Sequence, residues 1–280
     1  MVEPYAQSSI SPLSQIIPAR GPRGGNQRCI LPYTPTGALT TLPEGHPCET
    51  CPVRPITICR SLEAKTLADM RRLGTMQRLQ PEQAVFHEGD PARRVFMLTL
   101  GALKIYTLLG DGRRQVTGFM FPGDFLGITV DDDYAFTVEA LETSELWWFS
   151  REAFDRFVEE NPAVERELYR MAAHELAAAQ QQMILLGRKT AAERLASFFL
   201  NLIQRAERVT GRSESRFDLP MSRLDIADYL GLTKETVSRM LAELRDRRLI
   251  RLETQTRVEV LDREGLAEVA EGYGSEEARL

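Results

Sequence analysis

The segment LDIADYLGLTKETVSRMLAELRDRRLI, residues 224–250, constrains this chain more than any other part of it. Two short amphipathic stretches meet at Gly231, and the second divides into two faces. Val237, Leu241 and Leu244 share one side, whereas Glu235, Ser238, Arg239 and Ala242 recur at i, i+3, i+4 and i+7 on another. Ser222 with Asp225 makes a start of the capping-box type, an aspartate standing where Glu or Gln is usual. Gly231 suits the end of that helix, and Thr233 is a good N-cap for the next. The pattern predicts two helices joined by a tight turn, followed by LIRLE and RVEVLD as a two-stranded wing around Thr254-Gln255-Thr256.

A helix that gathers polar side chains at its N-terminal end can enter a major groove there. An Arg can donate two hydrogen bonds to guanine O6 and N7, a Glu can accept from the cytosine amino group, and a Ser reaches base edges or phosphate. The candidate DNA-contacting residues are Thr233, Lys234, Glu235, Thr236, Ser238 and Arg239. Lys234, Arg245, Arg247, Arg248 and Arg251 are candidates for positioning contacts to phosphate. The plain alternative is a helical hairpin whose polar face is merely solvated. The Gly turn, the Thr cap and the following wing argue against it.

With 280 residues and 43% hydrophobic content, the chain exceeds one typical domain and can bury real cores. Its formal net charge of −5 removes any general attraction to nucleic acid, so DNA binding must come from a local surface. No apolar run approaches the roughly 20 residues of a membrane span, and the first thirty residues lack a signal-peptide core. A cytoplasmic protein is expected.

The pattern changes along the chain. Residues 1–45 are rich in Pro and Gly and read as a flexible tail. Residues 46–150 hold a cysteine segment and then, from Met76 to Phe149, short strands broken by turn residues, the pattern of an antiparallel barrel or roll. Residues 151–188 form a helical run in which Ala172, Leu176, Ala179 and Met183 make an apolar seam, either core or dimer interface. Its length beyond a small barrel favours the interface. A further helix from Ala191 to about Arg208 opens the DNA-binding unit at 189–270, with a tail at 271–280. The expected class is α+β.

Taken together these residues closely resemble the Crp/Fnr family of bacterial transcription regulators. The resemblance runs from about Cys48 to Ala270, carried by GDGRRQVTGFMFPGDFLG, by QMILLGRKTAAERLASFFLNL and by the helix-turn-helix with Glu235, Ser238 and Arg239. It implies a homodimer in which a sensory β-roll, of the cyclic-nucleotide-binding type, is joined by a long dimerisation helix to a winged helix-turn-helix. It also implies a palindromic target, RNA polymerase as a partner and no enzymatic activity. Glu-x-x-Ser-Arg is similar to the Fnr branch, whose half-site is of the TTGAT type.

Departures from the family matter as much. Cyclic-nucleotide-binding members carry an Arg-Ser pair that holds the phosphate; here the loop after Gly127 runs ITVDDDYAFTVEAL, and the aligned pair is Tyr134 and Ala135. Asp131, Asp132 and Asp133 crowd that loop with negative charge, which disfavours an anionic nucleotide.

Oxygen-sensing Fnr proteins hold a [4Fe–4S] cluster with three N-terminal cysteines and a fourth in the β-roll. Cys48-x2-Cys51-x7-Cys59 is similar to the first three, but the fourth position aligns with Trp147, and the remaining cysteine is Cys29. Thiolates bind clusters and zinc alike, so spacing leaves the metal open. A cluster on Cys29, Cys48, Cys51 and Cys59 is chemically reasonable, since a tail can fold back at modest loop-closure cost; His46 is a second candidate for the fourth ligand. A degenerate or directly redox-active site is the alternative. Trp147 and Gln180 favour a regulator controlled by its own abundance, Gln180 standing where some oxygen-sensing relatives carry an acidic residue. A thioredoxin-like enzyme finds little support, because Cys48-Glu-Thr-Cys51 does not sit at a strand-to-helix turn.

Overall fold

The computed structural model describes residue 35 and residues 38–272, except 52, 211 and 255. Of the tail expected over residues 1–45, residues 1–34, with Cys29, lie outside the described residues, as do residues 273–280 of the C-terminal tail.

The cysteine segment forms two short 3-10 turns at Arg54–Ile56 and Ile58–Ser61. Pro55 presets φ in the first, and the Thr57 hydroxyl accepts from the Cys59 N–H to start the second. Helix α1 (Ala64–Leu73) follows. Eight strands then build the roll: β1 (Thr75–Leu79), β2 (Ala84–Phe86), β3 (Arg94–Leu100), β4 (Leu103–Leu108), β5 (Arg114–Met120), β6 (Phe125–Leu126), β7 (Thr137–Ala140) and β8 (Ser144–Ser150). They form two four-stranded antiparallel sheets, ordered β1-β8-β3-β6 and β2-β7-β4-β5.

Strand β3 explains how this sheet pair is covered. Its run Val95-Phe96-Met97-Leu98 is buried throughout, because successive side chains serve two cores. Phe96 and Leu98 point into the roll with Leu103, Val138 and Leu146. Val95 and Met97 point outward, onto a helical layer built from Leu67, Met70, Phe154 and Phe157.

The helical run after the roll is two helices, not one: α2 (Arg151–Glu160) and α3 (Pro162–Arg188). Pro162 has no N–H and crowds the residue before it, so Asn161 leaves helical geometry at φ −129°, ψ 80°. The 27 residues of α3 extend for about 40 Å at 1.5 Å per residue. Tyr169, Leu176 and Met183 are 76%, 63% and 66% exposed along it, at seven-residue intervals.

Lys189 and Thr190 separate α3 from α4 (Ala191–Thr210), whose stripe of Leu195, Phe199 and Ile203 organises the C-terminal core. The rest is β9 (Arg216–Asp218), α5 (Arg223–Leu230), α6 (Lys234–Asp246), β10 (Ile250–Leu252), β11 (Arg257–Val260) and α7 (Arg263–Glu271). The wing has three strands, not two, in the order β10-β11-β9. The third lies in the polar linker between α4 and α5, tied in by Phe217, which packs on Phe199. Among the described residues no helix is long and apolar enough to cross a membrane.

Candidate nucleic-acid interface and cysteine segment

Helix α5 begins with a complete capping box: the Ser222 hydroxyl accepts from the Asp225 N–H at 3.1 Å, and the Asp225 carboxylate accepts from the Ser222 N–H at 3.0 Å. Asp225 thus does here what Glu does in the usual pattern. Gly231 closes α5 in the left-handed region, at φ 62°, and turns the chain toward α6. Thr233 caps α6, its hydroxyl accepting from the Thr236 N–H at 3.1 Å. Val237, Leu241 and Leu244 are buried against α4 and α5, which fixes the roll of α6 about its axis.

That roll leaves Thr233, Lys234, Glu235, Ser238 and Arg239 exposed on one end of one face, with Thr236 half-buried among them. The Ser238 hydroxyl donates to the Lys234 carbonyl at 2.9 Å, so its oxygen remains able to accept. Of the basic residues nearby, Arg245 pairs with Asp246 at 2.9 Å and Arg251 with Glu259 at 2.8 Å. The first pair is exposed on both sides and weak enough for a phosphate to compete, whereas Glu259 is half-buried and also holds Arg216 at 3.0 Å.

In the roll, Tyr134 is buried and stacked on Phe86, with ring centroids 3.6 Å apart. Its hydroxyl donates to the Arg94 carbonyl at 2.7 Å and accepts from the Arg94 N–H at 3.2 Å. Burial pushes the Tyr134 phenol pKa up. A cleft of about 340 Å³ remains beside it, lined by Val85, Asp90, Arg93 and Arg94. The Arg94 guanidinium lies 4.3 Å over the Trp148 ring. Asp131, Asp132 and Asp133 are exposed.

Cys48 and Cys51 are half-buried and Cys59 is buried, all three as free thiols. The three share one neighbourhood. Burial pushes the Cys59 thiol up to about 11, with a smaller contribution from the nearby Cys51 and Cys48 sulfurs. Burial also raises Cys48, which the Arg71 guanidinium partly offsets through charge and a hydrogen bond. That same guanidinium lies 5.0 Å over the ring of Trp147, the residue aligned with a fourth ligand. His46 accepts from the Cys48 N–H at 3.1 Å through Nδ1 and contacts the Ala64 carbonyl through Nε2, so both its ring nitrogens face backbone groups.

As a donor set, three neighbouring thiols flanked by Arg54 and Arg71 suit a thiolate-bound metal. Among the described residues, however, no three of His, Cys, Asp or Glu lie together closely enough to hold a metal ion. A cluster would have to draw the thiols together and take its remaining ligand from elsewhere, and Cys29 is outside the described residues.

Two groups of residues went unnoticed in the sequence. Arg194 of α4 donates to three carbonyls, those of Leu186, Lys189 and Leu230, so it ties the ends of α3 and α5 to α4. Lys104 and Arg114 of the roll pair with Asp225 and Asp228 of α5. Arg194 gave a signal, a cation set among apolar positions at the start of a helix. The second group gave none that spacing could find.

Residues 193–269 match the Crp-like helix-turn-helix domain family, and residues 76–161 match the cyclic nucleotide-binding domain family. The chain is 40% identical over 202 residues to the nitrogen fixation regulation protein FixK of Bradyrhizobium diazoefficiens, covering 72% of this chain and 85% of that protein. It is 36% identical over 229 residues to the transcriptional activator protein FnrL of Cereibacter sphaeroides, covering 80% and 92%. The solved structure of FixK2 from Bradyrhizobium japonicum superposes with a TM-score of 0.66 at 34% identity, covering 70% of this chain and 96% of that one.

Proposed function

The chain belongs to the Crp/Fnr family of DNA-binding transcription regulators, and from that premise we propose that it acts as a homodimer on a TTGAT-type palindrome, read by Glu235, Ser238 and Arg239 of each subunit. The observation that carries this reading is the exposed polar face at the N-terminal end of α6, held in place by the buried Val237, Leu241 and Leu244. The Arg239 guanidinium is suited to guanine O6 and N7, the Glu235 carboxylate to a cytosine amino group, and the free lone pairs of Ser238 to a donor on a base edge. Thr233, Lys234 and Thr236 sit beside the positive end of the α6 dipole, where a phosphate is stabilised. The apolar seam of Tyr169, Leu176 and Met183 on α3 supports dimerisation, since a seven-residue repeat of exposed apolar side chains calls for a partner helix. On family grounds RNA polymerase is the partner through which binding acts on transcription, in the cytoplasm and without enzymatic turnover.

The β-roll serves this function without a cyclic nucleotide: Tyr134, which aligns with the phosphate-holding arginine, is instead stacked on Phe86. For the signal, Cys48, Cys51 and Cys59 are the residues that would hold a [4Fe–4S] cluster, with Cys29 as the fourth ligand. When bound, such a cluster supplies an oxygen-sensitive redox centre. The protein's own part is to carry the state of the cysteine segment to α3, on which the turn Ile58–Ser61 packs. A second reading, control by abundance alone, is favoured by Trp147, which packs with Cys48 and Cys59 in one core and is already engaged by Arg71.

Fluorescence anisotropy with the full chain tests the DNA-reading half. Tight binding to a duplex bearing the inverted repeat, lost on exchange of the G·C pair in each half-site, supports it. Equal binding to scrambled duplex at the same salt sinks it.

A further inference from the structure

The roll and the DNA-binding unit are joined by more than the chain between α3 and α4. Asp225, already the capping residue of α5, accepts on the same carboxylate from Lys104 Nζ at 3.2 Å and from Arg114 Nη2 at 2.7 Å. Lys104 is also held by Glu139 of β7 at 2.8 Å. Arg114 reaches Asp228, one turn further along α5, at 2.8 Å, and Gln115 donates to the Asp228 carbonyl at 2.7 Å. Lys104 and Asp225 are only 7% and 5% exposed, a depth at which charges are rarely found unless paired. Beside them Phe119 of β5, Phe198 of α4 and Tyr229 of α5 pack ring to ring, with centroids 5.2–5.9 Å apart. Lower down, Arg205 of α4 pairs with Asp124 of the roll.

These contacts engage α5 and leave the candidate reading face of α6 uncovered. Asp225, Ile226 and Ala227 are buried, while Glu235, Ser238 and Arg239 stay open. The interface therefore fixes an orientation without masking the groove-facing residues. Only Lys189 and Thr190 lie between the two long helices, a joint that would otherwise let the DNA-binding unit pivot.

We infer that Lys104 and Arg114, through Asp225 and Asp228, set the half-site spacing this protein accepts. By holding α5, and with it α6, rigid against the roll, they fix the separation of the two recognition helices in a dimer. The inference rests on the homodimer-and-palindrome reading above. A palindrome demands recognition helices about one DNA turn apart, roughly 34 Å. A pivoting unit would meet several separations at similar cost, whereas a latched one meets a single separation.

The test uses the full-length protein and a series of duplexes whose two TTGAT-type half-sites differ in spacer by one base pair either way. Wild-type protein should prefer one spacer by about tenfold, equivalent to about 1.4 kcal/mol. Lys104→Met with Arg114→Met, shown by circular dichroism and sedimentation to be folded and dimeric, should compress that preference to roughly twofold. A base exchange within the half-site should cost variant and wild type equally. Asp228→Asn, which leaves the capping box and Lys104 intact, is the milder variant should the double exchange not fold, and it should move the preference in the same direction. Folded variants that keep the wild-type spacer preference overturn the inference while leaving the palindrome reading intact. A wild-type protein that binds a single half-site as well as the palindrome, whatever the spacer, overturns both.

Discussion

The Tyr134 ring stacks on Phe86 at a centroid separation of 3.6 Å and an interplanar angle of 16°, with its hydroxyl bonded to both backbone groups of Arg94. The Tyr134 side chain is therefore committed to packing and to the Arg94 backbone, and offers no cation to a phosphate. Gly127 makes that packing possible, since it adopts φ 81° and a Cβ there would stand 2.7 Å from the Arg94 carbonyl oxygen. Calorimetric titration of cyclic AMP into the full-length protein should show no binding at micromolar concentration, and the nucleotide should leave DNA affinity unchanged. Saturable heat coupled to tighter DNA binding would mean that Tyr134 swings out.

Arg239 is exposed and takes part in no ion pair among the described residues. Removing it should cost recognition and spare the fold. A bidentate guanine contact discriminates by about 1–3 kcal/mol, and a dimer makes two. Arg239→Ala should accordingly bind the palindrome at least about tenfold more weakly, with a melting temperature within about 1 °C of wild type, as surface substitutions usually are. Unchanged affinity at moderate salt would place the reading face elsewhere on α6.

Gly231 sits at φ 62°, and a Cβ added there would meet only Arg194 Nη1 at 3.5 Å and Leu186 Cδ2 at 3.6 Å, both ordinary contacts. The cost of Gly231→Ala is thus conformational, about 1–2 kcal/mol for a left-handed non-glycine residue. Chemical denaturation should register that loss with an unchanged m-value. A larger loss would imply that the α5–α6 angle has shifted, and half-site affinity should then fall with it.

Asp225 offers a pH signature of the contact between roll and α5. Burial alone would raise its carboxyl, but hydrogen bonds from Ser222 and the charges of Lys104 and Arg114 outweigh this and hold it below the ordinary 3.8. Glu139 and Asp228 are the other charged groups of this cluster. Because the folded value is the lower one, this stability is fully present above 3.8 and drains away as pH falls through the folded value. Asp225→Asn breaks a buried pair, a change costing about 3–5 kcal/mol where no other partner remains and less here, since Glu139 still receives Lys104. The difference in stability between wild type and this variant should be flat from pH 8 to 5 and shrink only in stronger acid. A difference that instead grew on acidification would contradict the sign.

What the sequence made legible was local. The two faces of α6, the capping box at Ser222, the left-handed Gly231 and the Thr233 cap each depend on residues within one or two turns, so periodicity and residue type suffice to find them. The break at Asn161 was equally local, but the helix-forming residues on either side of Pro162 masked it. Strand β9 spans three residues and owes its place to Phe217 against Phe199, a contact that no alternation within the linker announces. The ion pairs between roll and α5 lie beyond any such reading: Lys104 and Asp225 are 121 residues apart, and each looks like an ordinary surface charge until the fold buries it. The cysteines fall between these cases. Their spacing was plain, but which side chain completes the set is a tertiary question, and Trp147 gives only part of the answer by lying in the same core as Cys48 and Cys59.

The cysteine segment therefore carries the sharpest test of how this regulator is controlled. Protein purified without oxygen should contain iron and sulfide and should bleach in air, and Cys48→Ser, Cys51→Ser and Cys59→Ser should each remove the iron. The three should differ in their effect on folding. Cys59 is buried beside Ile58 and Leu62, so its loss disturbs packing, whereas Cys51 is half-buried and its replacement should leave the melting temperature nearly unchanged. Cys29→Ser is the informative variant. Iron lost there makes Cys29 the fourth ligand in place of the β-roll cysteine whose position Trp147 occupies, while iron retained turns attention to His46, whose Nδ1 would first have to release the Cys48 N–H. If anaerobic wild-type protein holds no iron and binds the palindrome identically in air, the oxygen-sensing reading fails, and the cysteines are left as packing and thiol groups of a regulator set by its abundance.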